Sequence, residues 1–177
     1  MCKYHEITWY LPLTIYIDNL HVIKWYVDLA FAVNTYLHSH TSIMYKMGKC
    51  FVYGSSGGGG INTTSFTKSK LVGVRYALPQ VLWTRNFLEA QGYYIKESVL
   101  YQDNQITIRL CVNIQGSSSN LTYHINIFYF LLTDWVNSKE VLSEYCPTDD
   151  MIANLFSKNL QSSKLIKFRN IIINISD

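Results

Sequence analysis

Between residues 65 and 90 the chain carries one long helix-forming run, and β-branched, aromatic runs stand on both sides of it. No other feature restricts the fold as much. Ser65 or Thr67 is placed to cap this helix, Pro79 to kink or interrupt it, and Gly92 to end it. Upstream, "HVIKWYVDLAFAV" suits a buried strand, and "SIMYKMGKCFVYGSS" reads as two short strands around a turn at Gly48 and Lys49. Downstream, "SVLYQD" is a strand, "NQITIRLCVN" a short helix and "YHINIFYFLLTDWVNS" a buried helix. "EVLSEYC" is then a last strand and "DDMIANLFSKNL" an amphipathic helix, followed by a basic and apolar tail over residues 162–177. The order predicts a mixed α/β domain whose sheet opens with antiparallel strands.

Composition narrows the function classes. Fifteen basic and twelve acidic residues give a net charge of +3, which admits a nucleic-acid partner without requiring one. The four cysteines are scattered, with neither a CxxC nor a histidine at ligand spacing, so a zinc site and a disulfide framework are not expected. No signal peptide and no uncharged run of membrane-spanning length is read in the sequence, and an intracellular setting is expected. The glycines 57–60 lack the Lys-Ser/Thr that would make a phosphate loop, and a turn is expected there. Trp25, Trp83 and Trp135 lie in apolar segments and are expected in the core.

Two acids, Asp28 and Asp103, stand at the ends of two predicted strands. Carboxylates converging at strand ends can hold Mg²⁺, which prefers oxygen ligands; Asp also ends strands simply because it favours turns. Lys68 and Lys70, by contrast, fall in the first turns of the long helix, where the dipole favours acids.

A series of short blocks explains both observations: "VIKWYVDLAFAV", "HSHT", "MGKC", "KLVGVRYALPQVLWTRNFLEAQGY", "VLYQDNQ", "YHINIFYFLLTD" and "EYCPTDDMIANLFSKNLQ". In this order they resemble the ribonuclease H region of copia-type LTR retrotransposon polyproteins, over roughly residues 11 to 168. The resemblance implies a ribonuclease H-like fold, a five-stranded mixed sheet flanked by helices. It makes residues 1–19 the tail of a preceding reverse-transcriptase region and 20–161 the ribonuclease H-like domain. The implied activity is hydrolysis of the RNA strand of an RNA–DNA hybrid by two Mg²⁺ ions held by four acids. The other parts of the polyprotein are the implied partners.

Carried over one at a time, Asp28 and Asp103 match the first and third acids and are the expected catalytic and metal-binding residues. Lys70 stands where the last Glu of the family's S-T-E-A-E block should be, and Lys68 replaces the other Glu. Asn154 stands for the Asp of the A-D-x-x-T-K block. The Lys70 ammonium would lie where a dication should bind, or would pair with Asp28 or Asp103 as a tethered cation. Asp150, one turn before Asn154, is the candidate substitute ligand, unless it only complements a helix dipole. Nuclease activity is therefore expected to be lost.

Gln105 matches a position that faces the minor groove of the hybrid, or else is a capping residue. His124 matches a family histidine and is read as structural rather than catalytic, and His40 matches a family position and is read as a turn or core contact. Besides a disabled nuclease, two other readings stand: a module that binds hybrid without cutting it, and a retrotransposon remnant without function.

Overall fold

The structure, a computed structural model, describes residues 11–30, 39–59, 66–112 and 134–175. Its centre is β1 (Val22–Ala30). The strand β2 (Ser39–Met47) pairs with β1 antiparallel, and β3 (Cys50–Gly59) pairs antiparallel with β2. On the other side β4 (Glu97–Gln102) and β5 (Leu142–Tyr145) add in parallel, giving the order β3-β2-β1-β4-β5.

Strand alternation sorts the side chains into two cores. Ile23, Trp25 and Val27 of β1, with Ile43 and Tyr45 of β2, face the helix α1 (Phe66–Ala90). That helix answers with Leu71, Val74, Ala77, Leu78 and Val81, all buried and spaced three or four apart. On the opposite face Tyr26 and Met44 meet Met151, Ile152, Ala153 and Phe168. Two elements cover that face, α3 (Asn154–Ser157) and α4 (Ser162–Ile173). The helix α2 (Gln105–Val112) follows β4. The result is a sheet between helical layers, as expected.

The long helix continues through Pro79, where a kink or an interruption was expected, and it is not interrupted. Pro79 is exposed, while its neighbours Ala77, Leu78 and Val81 are fully buried and hold the helix against the sheet. The helix ends as predicted. Gly92 has φ +88°, its N–H donates to Glu89 O at 2.9 Å, and the Tyr93 N–H reaches back to Leu88 O at 3.0 Å. This is a Schellman closure, which needs a left-handed residue. The hairpin glycine is equally constrained: Gly48 has φ +55°, and a Cβ there would lie 2.0 Å from Asp18 Oδ1.

Three other expectations fail. Gly57–Gly59 are not a turn but pair with Thr41, His40 and Ser39 as the end of β3, an edge strand whose backbone needs no side chains to bond. Trp83 is not core; it is 65% exposed and stacks on Phe87 at 5.1 Å. The amphipathic helix at 149–160 shrinks to α3: residues 148–150 form a turn, Met151, Ile152 and Ala153 are buried, and the backbone makes i→i−3 bonds from Asn154, Leu155 and Phe156. In the basic and apolar segment 162–177, most residues form α4, and Phe168 is 1% exposed in the second core. The expected helix at 123–138 lies mostly outside the described residues, as does His124.

Candidate functional site

The parallel pairing of β1 with β4 brings two strand ends together. Tyr26 is opposite Tyr101, so the same register continued by two residues sets Asp28 beside Asp103. Gln102 fixes that end by donating from Nε2 to Val27 O at 2.8 Å. Asp28 is fully buried and the Asp103 side chain is 8% exposed. The first turns of α1 then deliver Lys70, itself 1% exposed.

Lys70 bonds both acids. Its Nζ donates to Asp28 Oδ1 at 2.7 Å and also to Asp103 Oδ1. The second Asp28 oxygen is occupied too: Ser157 Oγ donates to Oδ2 at 2.5 Å, and Lys158 Nζ lies 3.3 Å away. Two carboxylates thus face two ammonium groups, and the charges cancel. Burial pushes the Asp28 carboxyl up, but the charge and hydrogen bond of Lys70, the Ser157 hydroxyl and Lys158 outweigh it, and the group is held below the usual carboxylate range.

Asn154 has both ends of its amide committed. Nδ2 donates to Thr148 O at 2.8 Å, and Oδ1 accepts from Lys158 Nζ at 2.6 Å. Its link to Asp28 therefore runs through Lys158. Asp150 is in a turn rather than on a helix, and its 60% exposed carboxylate faces away to Lys167 Nζ at 2.8 Å. Gln105 is the exposed first residue of α2, but the cap is Asn104, whose Oδ1 accepts from the N–H groups of Ile106 and Thr107. His40 lies in β2 with Nε2 2.5 Å from Ser56 Oγ. The Ser56 hydroxyl donates to Phe156 O, so the histidine is the donor and ties the strand pair to α3.

Sequence reasoning missed Ser157, Lys158 and Asn104. The first two follow Asn154 by one helical turn, a spacing that groups them on one face and was the available signal. Among the described residues, no three His, Cys, Asp or Glu side chains are grouped to hold a metal ion. The Asp28 and Asp103 carboxylates, closed around an ammonium, do not fit a pair of dications.

The sheet order and its helical layers define a ribonuclease H-like fold. Solved structures of ribonuclease H domains are similar to it. The N-terminal ribonuclease H domain of a Mycobacterium tuberculosis protein, solved as a fusion with maltose-binding protein, matches with a TM-score of 0.54 and 9% identity, over 82% of this chain and 97% of that one. LC11-RNase H1, isolated from compost and crystallised with an RNA/DNA hybrid, matches with a TM-score of 0.52 and 12% identity, over 76% and 92%. The prototype foamy virus protease-reverse transcriptase gives 0.51 and 8%, over 92% of this chain and 21% of that one. At such identities the likeness is one of fold. No family model matches the chain. Among the described residues, no helix is long and apolar enough to cross a membrane.

Proposed function

We propose that the chain is the ribonuclease H-like domain of a copia-type retrotransposon polyprotein in which cleavage of the RNA strand has been lost. One observation carries the reading: the buried Lys70 ammonium is bonded by both of the acids, Asp28 and Asp103, that the family reaction would need. A unit charge about 4 Å from another interacts by about 4 kcal/mol at an effective dielectric of about 20, so an incoming dication would be repelled by about twice that. Asp150 does not relieve the deficit, since it is engaged by Lys167 on the surface. The Mg²⁺ pair of active relatives therefore has no counterpart in this proposal. Residues 1–19 are the end of a reverse-transcriptase region, and the remainder is one domain that includes α4. The buried free thiols Cys50 and Cys146 accord with an intracellular setting.

Hybrid binding without cleavage is the second reading, favoured by the exposure of Gln105, two positions after Asp103 in the chain. Incubation with a labelled RNA–DNA hybrid in Mg²⁺ or Mn²⁺ tests the first. No cleavage is expected from the parent, and activity is expected in the double variant Lys70→Glu with Asn154→Asp. Cleavage by the parent that Asp28→Asn abolishes would refute the loss of catalysis. Salt-dependent retention of the hybrid by the parent would establish the second.

A further inference from the structure

A cross-strand pair of lysines lies on the sheet face that carries Asp28, towards its other end. Lys24 of β1 stands directly opposite Lys46 of β2 in the antiparallel register. Like charges so placed destabilise a sheet. Burial, and then the charge of Lys24, holds Lys46 below the usual lysine range, although Asp18 pulls the other way. The Asp18 carboxylate sits at the hairpin, where Oδ1 accepts the Lys49 N–H at 3.1 Å. Among the described residues, no salt bridge reaches Lys24, Lys46 or Lys49.

Lys46 and Lys49 open on a cavity of about 610 Å³ between the β2–β3 hairpin and α4. Ser163, Lys167, Asn170 and Asn174 line its helical side, three or four residues apart and so on one face. Lys167 is already paired with Asp150, whereas Asp18 acts on Lys46 through its charge and makes no salt bridge with it. Lys46, Lys49 and Lys167 line the cavity and, among the described residues, no carboxylate does, so its walls carry positive charge, and the cavity is far larger than a single carboxylate needs.

We propose that this cavity binds phosphate groups, with Lys46 and Lys49 as its cations and the Ser163 hydroxyl as a neutral donor. It is separate from the carboxylate centre: Lys46 is four residues along β2 from Ser42, the register partner of Asp28, or about 13 Å at 3.3 Å per residue. An anion there offsets the repulsion that the lysine pair imposes on the sheet. The phosphate can belong to a free polyphosphate or to a nucleic-acid backbone, whose chemistry at this site is the same.

Calorimetric titration with tripolyphosphate and, separately, with a single-stranded dT oligonucleotide tests it, at ionic strength balanced with chloride. Tripolyphosphate is expected to bind the parent, and Lys46→Gln with Lys49→Gln to weaken it by about tenfold or more. A variant of equal net charge, Lys96→Gln with Arg109→Gln, should bind as the parent does. Lys49→Gln alone, at an exposed turn position, keeps the test available if the double variant does not fold. If a backbone is the source, the oligonucleotide weakens in parallel and its log–log salt slope shrinks by about 1.4 for the two lost contacts. Loss of tripolyphosphate binding with unchanged oligonucleotide binding assigns the site to free polyphosphate. No binding by the parent, or equal weakening in both double variants, would overturn the proposal.

Discussion

Lys70 Nζ lies 2.7 Å from Asp28 Oδ1, an ammonium and a carboxylate that are both inaccessible to water. Such a pair is not in itself strongly stabilising, because desolvating both charges consumes most of their attraction. Removing one partner is another matter, since it leaves the other charged, buried and undercompensated, at a cost of about 3–5 kcal/mol. Lys70→Met should lower the unfolding free energy by about that amount, towards the lower end because Lys158 remains near Asp28. Urea denaturation measures it. A loss under about 1 kcal/mol would mean that the ammonium is exchanging with solvent rather than locked between the acids.

Asp28 adds a signature in pH. Its folded pKa lies below 3.8, since Lys70, Ser157 and Lys158 outweigh the opposing effect of burial. The unfolded chain therefore takes up the proton first as acid is added. The stabilisation is complete above the unfolded value, about 3.9, and is lost as pH falls through the folded one. The unfolding free energy of the parent should fall more steeply below about pH 4 than that of Asp28→Asn, in a series of urea titrations at fixed ionic strength. Parallel curves for the two proteins would remove Asp28 from the acid response.

Much of this centre was legible in the sequence because strand ends and helix starts are set by local pattern. Asp28 and Asp103 close two strand-like runs, Lys70 opens a helical one, and parallel pairing of β1 with β4 brings them together. What was not legible depended on packing at a distance. Asp150 faces the solvent because the chain makes a turn there where a helix was expected, and its carboxylate meets Lys167 of a helix seventeen residues on. Ser157 and Lys158 join Asp28 across 129 and 130 positions of chain; their spacing from Asn154 groups them with it, but nothing local places that group against Asp28. The basic and apolar end of the sequence gave no sign that Phe168 completes a core.

The tryptophans provide a contrast within one residue type. Trp25 is 1% exposed and stacked on Tyr45 at 4.7 Å, whereas Trp83 is 65% exposed and stacked on Phe87 of its own helix. Trp25→Ala should cost about 3–5 kcal/mol. Trp83→Ala should cost under about 1 kcal/mol, as surface changes do, and should remove most of the acrylamide-quenchable fluorescence of the described tryptophans. Stern–Volmer plots of the two variants, beside their urea midpoints, check both statements. Comparable destabilisation by the two would mean that Trp83 is covered in solution.

The last prediction concerns metal linkage, which can be read without any nucleic acid. In the parent, the charge of Asp28 and Asp103 is already balanced by Lys70 and Lys158, so a dication has little to gain by binding the folded state. Melting temperatures in Mg²⁺ and in EDTA, at equal ionic strength, should coincide. Lys70→Glu reverses the situation by removing the cation and grouping three carboxylates in a buried site. That variant should be less stable than the parent in EDTA, because like charges repel at short range. It should recover with Mg²⁺, since a ligand that binds only the folded state stabilises by about 2.7 kcal/mol at one hundred times its Kd. Adding Asn154→Asp should enlarge the response if that position also faces the metal. A parent that itself melts higher in Mg²⁺ would show that the lysine does not hold the site against a dication, and the proposed loss of catalysis would fall with it.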